Sequence, residues 1–179
     1  IKVAFDGERA GDNIELNIGE NSPAQDTTKV RIQRRAILKI TDIVTTVDTV
    51  NGQQRDPWQV KVAVSNVHTD QTDTEVNRAG LRLSEPKADD LSFIIQNETW
   101  NDYIVVPPAA FTENGTLLLA GGETDTLIYT IRSTGSYGGD LTIHASLSAQ
   151  DINNDSTRTG EGNSSETVHV TSDPKLRIL

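Results

Sequence analysis

The chain has 179 residues and a formal net charge of -10, with 35% hydrophobic residues, 4% aromatic residues and no cysteine. That length holds one ordinary domain, or one domain with a piece of a neighbour, and the lack of cysteine excludes disulfides, thiolate metal centres and a cysteine nucleophile. The acidic balance argues against nucleic acid as a partner, and no apolar run is long enough for direct membrane insertion of these residues.

Taken in order, apolar residues recur at every second position: Ile1, Val3 and Phe5; Val30 and Ile32; Leu38 and Ile40; Trp58, Val60, Val62 and Val64; Leu127, Tyr129 and Ile131; Leu141, Ile143, Ala145 and Leu147. A period of two places one set of side chains on each face of a strand, so these segments are expected as half-buried strands. Turn clusters separate them at Asn51-Gly52, Asn114-Gly115, Gly121-Gly122 and Ser136-Tyr137-Gly138-Gly139, where Gly and Asn accept left-handed backbone angles. Short strands separated by turn signals suggest a sandwich or barrel, and polar outer faces favour antiparallel sheets, so the expected fold is an all-β antiparallel β-sandwich of two sheets with Greek-key connections.

Sliding the chain on itself shows an internal repeat. Lys29-Val30-Arg31-Ile32 matches Thr167-Val168-His169-Val170 and Leu38-Lys39-Ile40 matches Leu176-Arg177-Ile178, both at an offset of 138, while Ile1-Lys2-Val3-Ala4-Phe5 lies against Leu141-Thr142-Ile143-His144-Ala145 at 140. The chain therefore divides into the C-terminal strands of a preceding repeat (1–35), a complete repeat (36–173) and the first strand of the next (174–179). Residues 1–35 lack the first part of their own unit, so Ile1, Val3, Phe5, Val30 and Ile32 are expected to form an assembly interface with a copy of the chain or a neighbouring repeat.

The stretch Asn51-Gly52-Gln53 followed by Pro57-Trp58-Gln59-Val60-Lys61-Val62-Ala63-Val64-Ser65-Asn66 resembles the opening of tandem immunoglobulin-like repeats in very large bacterial cell-surface proteins. Leu118-Leu119-Ala120-Gly121-Gly122, Thr134-Gly135-Ser136 with Gly139, and Asp151-Ile152-Asn153 are similar to the turn motifs of that family, in the same order. The resemblance implies that the sandwich is an immunoglobulin-like antiparallel β-sandwich, one unit of a tandem extracellular array, and implies no enzymatic activity. A polar insertion after Asn66, from Val67 to Glu75, departs from the family's short Gly-rich turn and reads as a solvated loop.

Asp151, Asn153 and Asp155 place oxygen atoms at alternate positions, the spacing of a tight Ca²⁺ loop, but Ser156 and Gly162 stand where an EF-hand needs Gly and Glu. An Asx-rich turn is the competing reading, and no cofactor is expected beyond that Ca²⁺ candidate. Asn97, Asn114, Asn154 and Asn163 each open an N-x-S/T glycosylation triplet. His68, His144 and His169 are scattered, and Asp89-Asp90 reads as solvated loop, so no catalytic constellation is expected.

Trp58 opens a valine-rich strand and is expected in the core, whereas Trp100, close to Asn97, Asn101 and Asp102, is the candidate for an exposed ligand contact. The expected function is therefore a structural repeat of an extracellular or cell-surface fibre, assembling by strand pairing or end-to-end contacts. The alternative is an adhesive or glycan-binding module, with loops 67–77 and 96–102 meeting a glycan or another surface protein.

Overall fold

The computed structural model describes residues 14–16, 28–30, 33–51, 56–67, 78–95, 98–101, 103–108, 117–135, 138–164 and 167–171. The expectations for Ile1, Val3, Phe5, Ile32, Asn97, Asn114 and residues 174–179 lie outside them, as does most of the loop after Asn66. Two short strands, β1 (Ile14–Leu16) and β2 (Thr28–Val30), pair antiparallel with each other, which places Val30 opposite Ile14.

The alternation of the longer strands is what builds the sandwich. Along β5 (Trp58–Ser65) the side chains of Trp58, Val60, Val62 and Val64 are buried, as are Leu127, Tyr129 and Ile131 along β11 (Thr124–Ser133). These two strands pair antiparallel from Ser65 opposite Thr124 to Trp58 opposite Ile131, so their buried sets share one face. β3 (Lys39–Thr45) joins β5 on one side and β9 (Tyr103–Val106) joins β11 on the other, giving a four-stranded sheet in the order β3-β5-β11-β9.

In β3 the register slips between Ile40 and Asp42, leaving Thr41 as an extra residue. This bulge resets the parity of the strand, so that Ile40 and Ile43, three residues apart, both reach the core.

The facing sheet is organised around β12 (Gly139–Asp151), whose 13 residues bury every second side chain from Leu141 to Asp151. One side of β12 pairs with β7 (Leu91–Ile95) and then β6 (Leu81–Leu83), and the other with β14 (Val168–Thr171) and then β13 (Thr157–Asn163). Three short strands extend it: β4 (Thr49–Asn51) lies parallel to β14, β8 (Glu98–Thr99) pairs with β7, and β10 (Leu118–Leu119) pairs with β6. A 3-10 turn, Ala88–Asp90, leads into β7.

The inner faces meet in one apolar core, with Phe93, Leu81, Leu83, Ile95, Leu141 and Ile143 from the second sheet packed against the valines and Tyr129 of the first. Each such side chain contributes about 1.5–3 kcal/mol relative to exposure. Two sheets, antiparallel except where β4 joins β14, enclose one core and make this an immunoglobulin-like β-sandwich.

Where β13 crosses β3 the backbones come close. A Cβ on Gly160 would lie 3.0 Å from Leu38 Cγ, so Leu38 would have to give by a few tenths of an ångström, and one on Gly162 would lie only 2.8 Å from Ile40 Cγ2, so a side chain there forces a shift. No helix among the described residues is long and apolar enough to cross a membrane.

Candidate functional site

The strand registers give the sandwich two ends. Residues 33–38 join it where β5 ends and β12 reaches Asp151, here called the proximal pole, and β14 runs out beside Gly139 at the opposite, distal pole.

At the proximal pole, Asn66 follows β5 and is fully buried. Its side-chain Oδ1 accepts from the Ile37 N–H at 3.1 Å, and its Nδ2 donates to the carbonyls of Ala79 at 2.8 Å and Leu119 at 3.1 Å. Its backbone N–H donates to Glu123 O, and its carbonyl accepts from Gly122 N–H in the tight turn where Gly122 has φ 86°. One amide thus ties together four segments distant in sequence, and only a side chain with both a donor and an acceptor does so.

Asp151, the last residue of β12, is 1% exposed. Its Oδ2 accepts from the Ala36 N–H at 2.9 Å and from Arg158 Nη2 at 3.3 Å, and its Oδ1 accepts from the Asn153 N–H at 3.0 Å. Burial opposes the charged form, yet the bonds from Ala36, Asn153 and Arg158 outweigh it and hold the carboxyl below its ordinary value. Nearby, Ala79 N–H donates to Arg34 O, and the buried Arg78 donates from Nη1 to Arg35 O at 3.0 Å.

These bonds bear on the Ca²⁺ candidate. Asp151, Asn153 and Asp155 do lie in one turn, closed by Asp155 N–H on Asp151 O at 2.8 Å, with Asp155 at φ 53°. The Asp151 carboxylate, however, already receives three donors, one of them a guanidinium, while Asn153 and Asp155 are exposed. Among the described residues no three His, Cys, Asp or Glu side chains gather into a metal-holding group. The turn has the geometry of an Asx-stapled loop.

Toward the distal pole the filling is aromatic. Phe93 lies edge-on to Trp58 and Trp100, with ring centroids 6.2 and 6.3 Å away, and 4.1 Å from Tyr103, which in turn lies 5.5 Å from Trp100. Trp58 is in the core. Trp100 differs from its expectation as an exposed contact: it is 4% exposed, because β8 folds back along β7, with the Trp100 N–H donating to Phe93 O, and its ring packs against Phe93 and Tyr103. Beside this cluster a recess of about 190 Å³, lined by Val47, Val50, Asn51, Asp56 and Trp58 among others, is smaller than ordinary ligand pockets.

Midway along the sandwich, Asp90 is half-buried at the end of the 3-10 turn, not in the fully solvated loop expected for it. Its Oδ2 accepts from Tyr129 Oη at 2.9 Å and from the Lys87 N–H at 2.7 Å. Burial pushes the Asp90 carboxyl above its ordinary value, the two bonds only partly offsetting it, and burial followed by the charge on Asp90 pushes the Tyr129 hydroxyl well up. Of the remaining candidates, Asn154 and Asn163 are exposed, and His169 Nδ1 lies 2.7 Å from Asp140 Oδ1 on the outer face.

Sequence reasoning passed over Asn66 and Asp90 as polar centres. The signal for Asn66 was its position directly after a buried valine strand, where a polar residue with no neighbouring charge has to find backbone partners.

No family model matches the chain, and no curated protein does. Among solved structures it is similar to AvmM, described as catalysing macrocyclization in alchivemycin A biosynthesis, at 10% identity and a TM-score of 0.39 over 79% of this chain and 91% of that one. A PapD-like domain of human CEP192 aligns at 9% identity and TM-score 0.31 over 84% and 99% of the two chains. A C-terminal fragment of the major pilin GBS80 of Streptococcus agalactiae aligns at 10% and 0.26 over 76% and 55%. Scores this low assign neither a family nor an activity.

Proposed function

We propose that the chain is a non-enzymatic structural repeat of an extracellular or cell-surface array, a spacer that passes the polypeptide from one end of a sandwich to the other. The observation that carries this reading is the placement of the two poles. Residues 33–38 are stapled at one end of β12 through Ala36 and Ile37, and β14 leads out at the other. The 13 residues of β12 separate them by about 40 Å at roughly 3.3 Å per residue. Repeats with such termini stack in line without reversing direction.

The buried polar groups at the proximal pole support a structural role, because each carboxylate or amide oxygen there holds a backbone segment in place. In this reading Ile1, Val3, Phe5, Val30 and Ile32 complete a preceding repeat or pair with another copy, and no cofactor is needed. The adhesive alternative is less favoured, since the indole of Trp100 is buried.

The test is small-angle X-ray scattering on a head-to-tail fusion of two copies of the whole chain. In-line stacking lengthens the maximum dimension by about 40 Å or more over one copy. A compact, side-by-side pair would overturn the reading. Loss of polymers in electron micrographs on deleting residues 1–33 would add the strand-pairing step, and unchanged assembly would remove it.

A further inference from the structure

The outward face of the four-stranded sheet is unlike the rest of the surface at its β9 edge. β9 pairs with β11 from Tyr103 opposite Ser133 to Val106 opposite Thr130, and among the described residues no strand covers its other edge. An uncovered edge presents backbone N–H and C=O groups to any chain that can pair with them. Ile104 and Val106 on this strand are 54% and 47% exposed, and Ile128, diagonal to Val106 on β11, is 42% exposed. Three of the five large hydrophobic side chains exposed among the described residues therefore lie side by side. Clusters of this kind mark contact surfaces more often than isolated exposed residues do.

Charge sets the same face apart. On the two strands nearest that edge the other outward positions are Thr124, Thr126, Thr130 and Arg132 on β11 and Gln59, Lys61 and Ala63 on β5, with Arg132 opposite Ile104 and Lys61 opposite Ile128, and on β3, the strand farthest from β9, the exposed Asp42 lies opposite Ala63. The β11 and β5 positions carry two cations and no carboxylate, on a chain whose net charge is -10, and Asp42 stands at the far side of the sheet from β9.

We propose that the β9 edge is a docking site for a partner polypeptide that adds an extended strand whose outward face carries both apolar and acidic side chains. The backbone of the added strand continues the sheet, and the apolar side chains of its outward face lie against Ile104 and Val106. Arg132 sits two strand spacings from it, about 10 Å, within reach of a carboxylate there, and Lys61 adds to the field from farther in. A second copy of this chain pairing through its own β9 is the poorer occupant, because it would bring two cationic faces together. The proposal does not depend on whether repeats stack end to end.

The test titrates the isotopically labelled whole chain with two capped eight-residue peptides, one repeating Val-Thr-Glu-Thr and one repeating Val-Thr-Lys-Thr, each of which puts Val and the charged residue on the same face. The expected result is saturable amide shifts confined to residues 103–106 and their β11 partners, with the Glu peptide bound at least about tenfold more tightly and the preference weakened in 0.5 M salt. Ile104→Ser should weaken binding about tenfold and Arg132→Glu should reverse the peptide preference, while Leu118→Ser, at an exposed apolar site on the other sheet, should leave both unchanged. All these sites are exposed, so the fold is retained. No saturable shift, equal binding of the two peptides, the same loss in Leu118→Ser, or self-association through β9 in sedimentation would each overturn the proposal.

Discussion

At the proximal pole Asn66 and Asp151 close the sandwich with hydrogen bonds to backbone far away in sequence, whereas toward the distal pole Phe93 sits among Trp58, Trp100 and Tyr103. Both ends are buried, but they depend on different things. Hydrogen bonds are directional and leave a penalty when one partner is removed. Aromatic packing is tolerant of direction and scales with the area and volume filled. The polar end therefore fixes which segments meet, and the aromatic end supplies much of the burial.

The sharpest way to break the comparison is at its apolar side. Phe93→Ala removes the ring that touches the other three and should cost about 3–5 kcal/mol in urea unfolding, with tryptophan emission shifting to the red and little dependence on pH. A loss as small as 1 kcal/mol would show that the aromatic end is not the better packed.

At the polar side, Asn66→Ala leaves the Ile37 N–H and the Ala79 and Leu119 carbonyls without their partner, and should cost about 3 kcal/mol. Asn66→Asp should do no better than Ala, because a carboxylate cannot donate to those two carbonyls. Faster hydrogen exchange at Ile37 would locate the damage; rescue by Asp would contradict the assignment.

Asp151 brings pH into the comparison. Its folded pKa lies below the ordinary 3.8, so its contribution is complete above that value and is lost as the pH falls through the folded value. Asp151→Asn should be less stable by about 1–2 kcal/mol at pH 7, with the gap to the natural chain closing on acidification. Asp90 runs the other way: its folded pKa is raised, so its ionisation costs stability above the folded value, and the cost is relieved as the pH falls toward 3.8. A gap for Asp151→Asn that is constant from pH 7 to pH 2.5 would mean the carboxylate is not held by charge-assisted bonds.

The smallest expected effect is at the exposed part of the same turn. Asn153→Ser and Asp155→Asn should each stay within about 0.5 kcal/mol, and millimolar Ca²⁺ should leave the melting temperature of the natural chain unchanged. A Ca²⁺-dependent rise in melting temperature, lost in Asp155→Asn, would restore the metal site.

The strands from Trp58 to Val64, Leu127 to Ile131 and Leu141 to Leu147 were legible because alternation is a local signal that each strand carries by itself. Ile43 escaped because the bulge at Thr41 changes the parity within β3. Trp100 was misleading for the same local reason: its sequence neighbours are polar, but its environment is set by Phe93, seven residues earlier, and Tyr103 on the facing sheet. The role of Asn66 rests on partners at Ile37, Ala79 and Leu119, and no pattern within a short window announces contacts at those separations.

The placement of β14 has a mechanical consequence. A pull applied at Ala36 and Thr171 acts along β12, nearly parallel to the strands and across the ladders that join β14 to β12 and to β4. In that direction the bonds of a ladder bear load together and must slide past one another at once, instead of opening one by one from an end. Three residue pairs to each neighbour are few, but they would have to fail in a single step, and the extension at which the sandwich gives way would be short and abrupt.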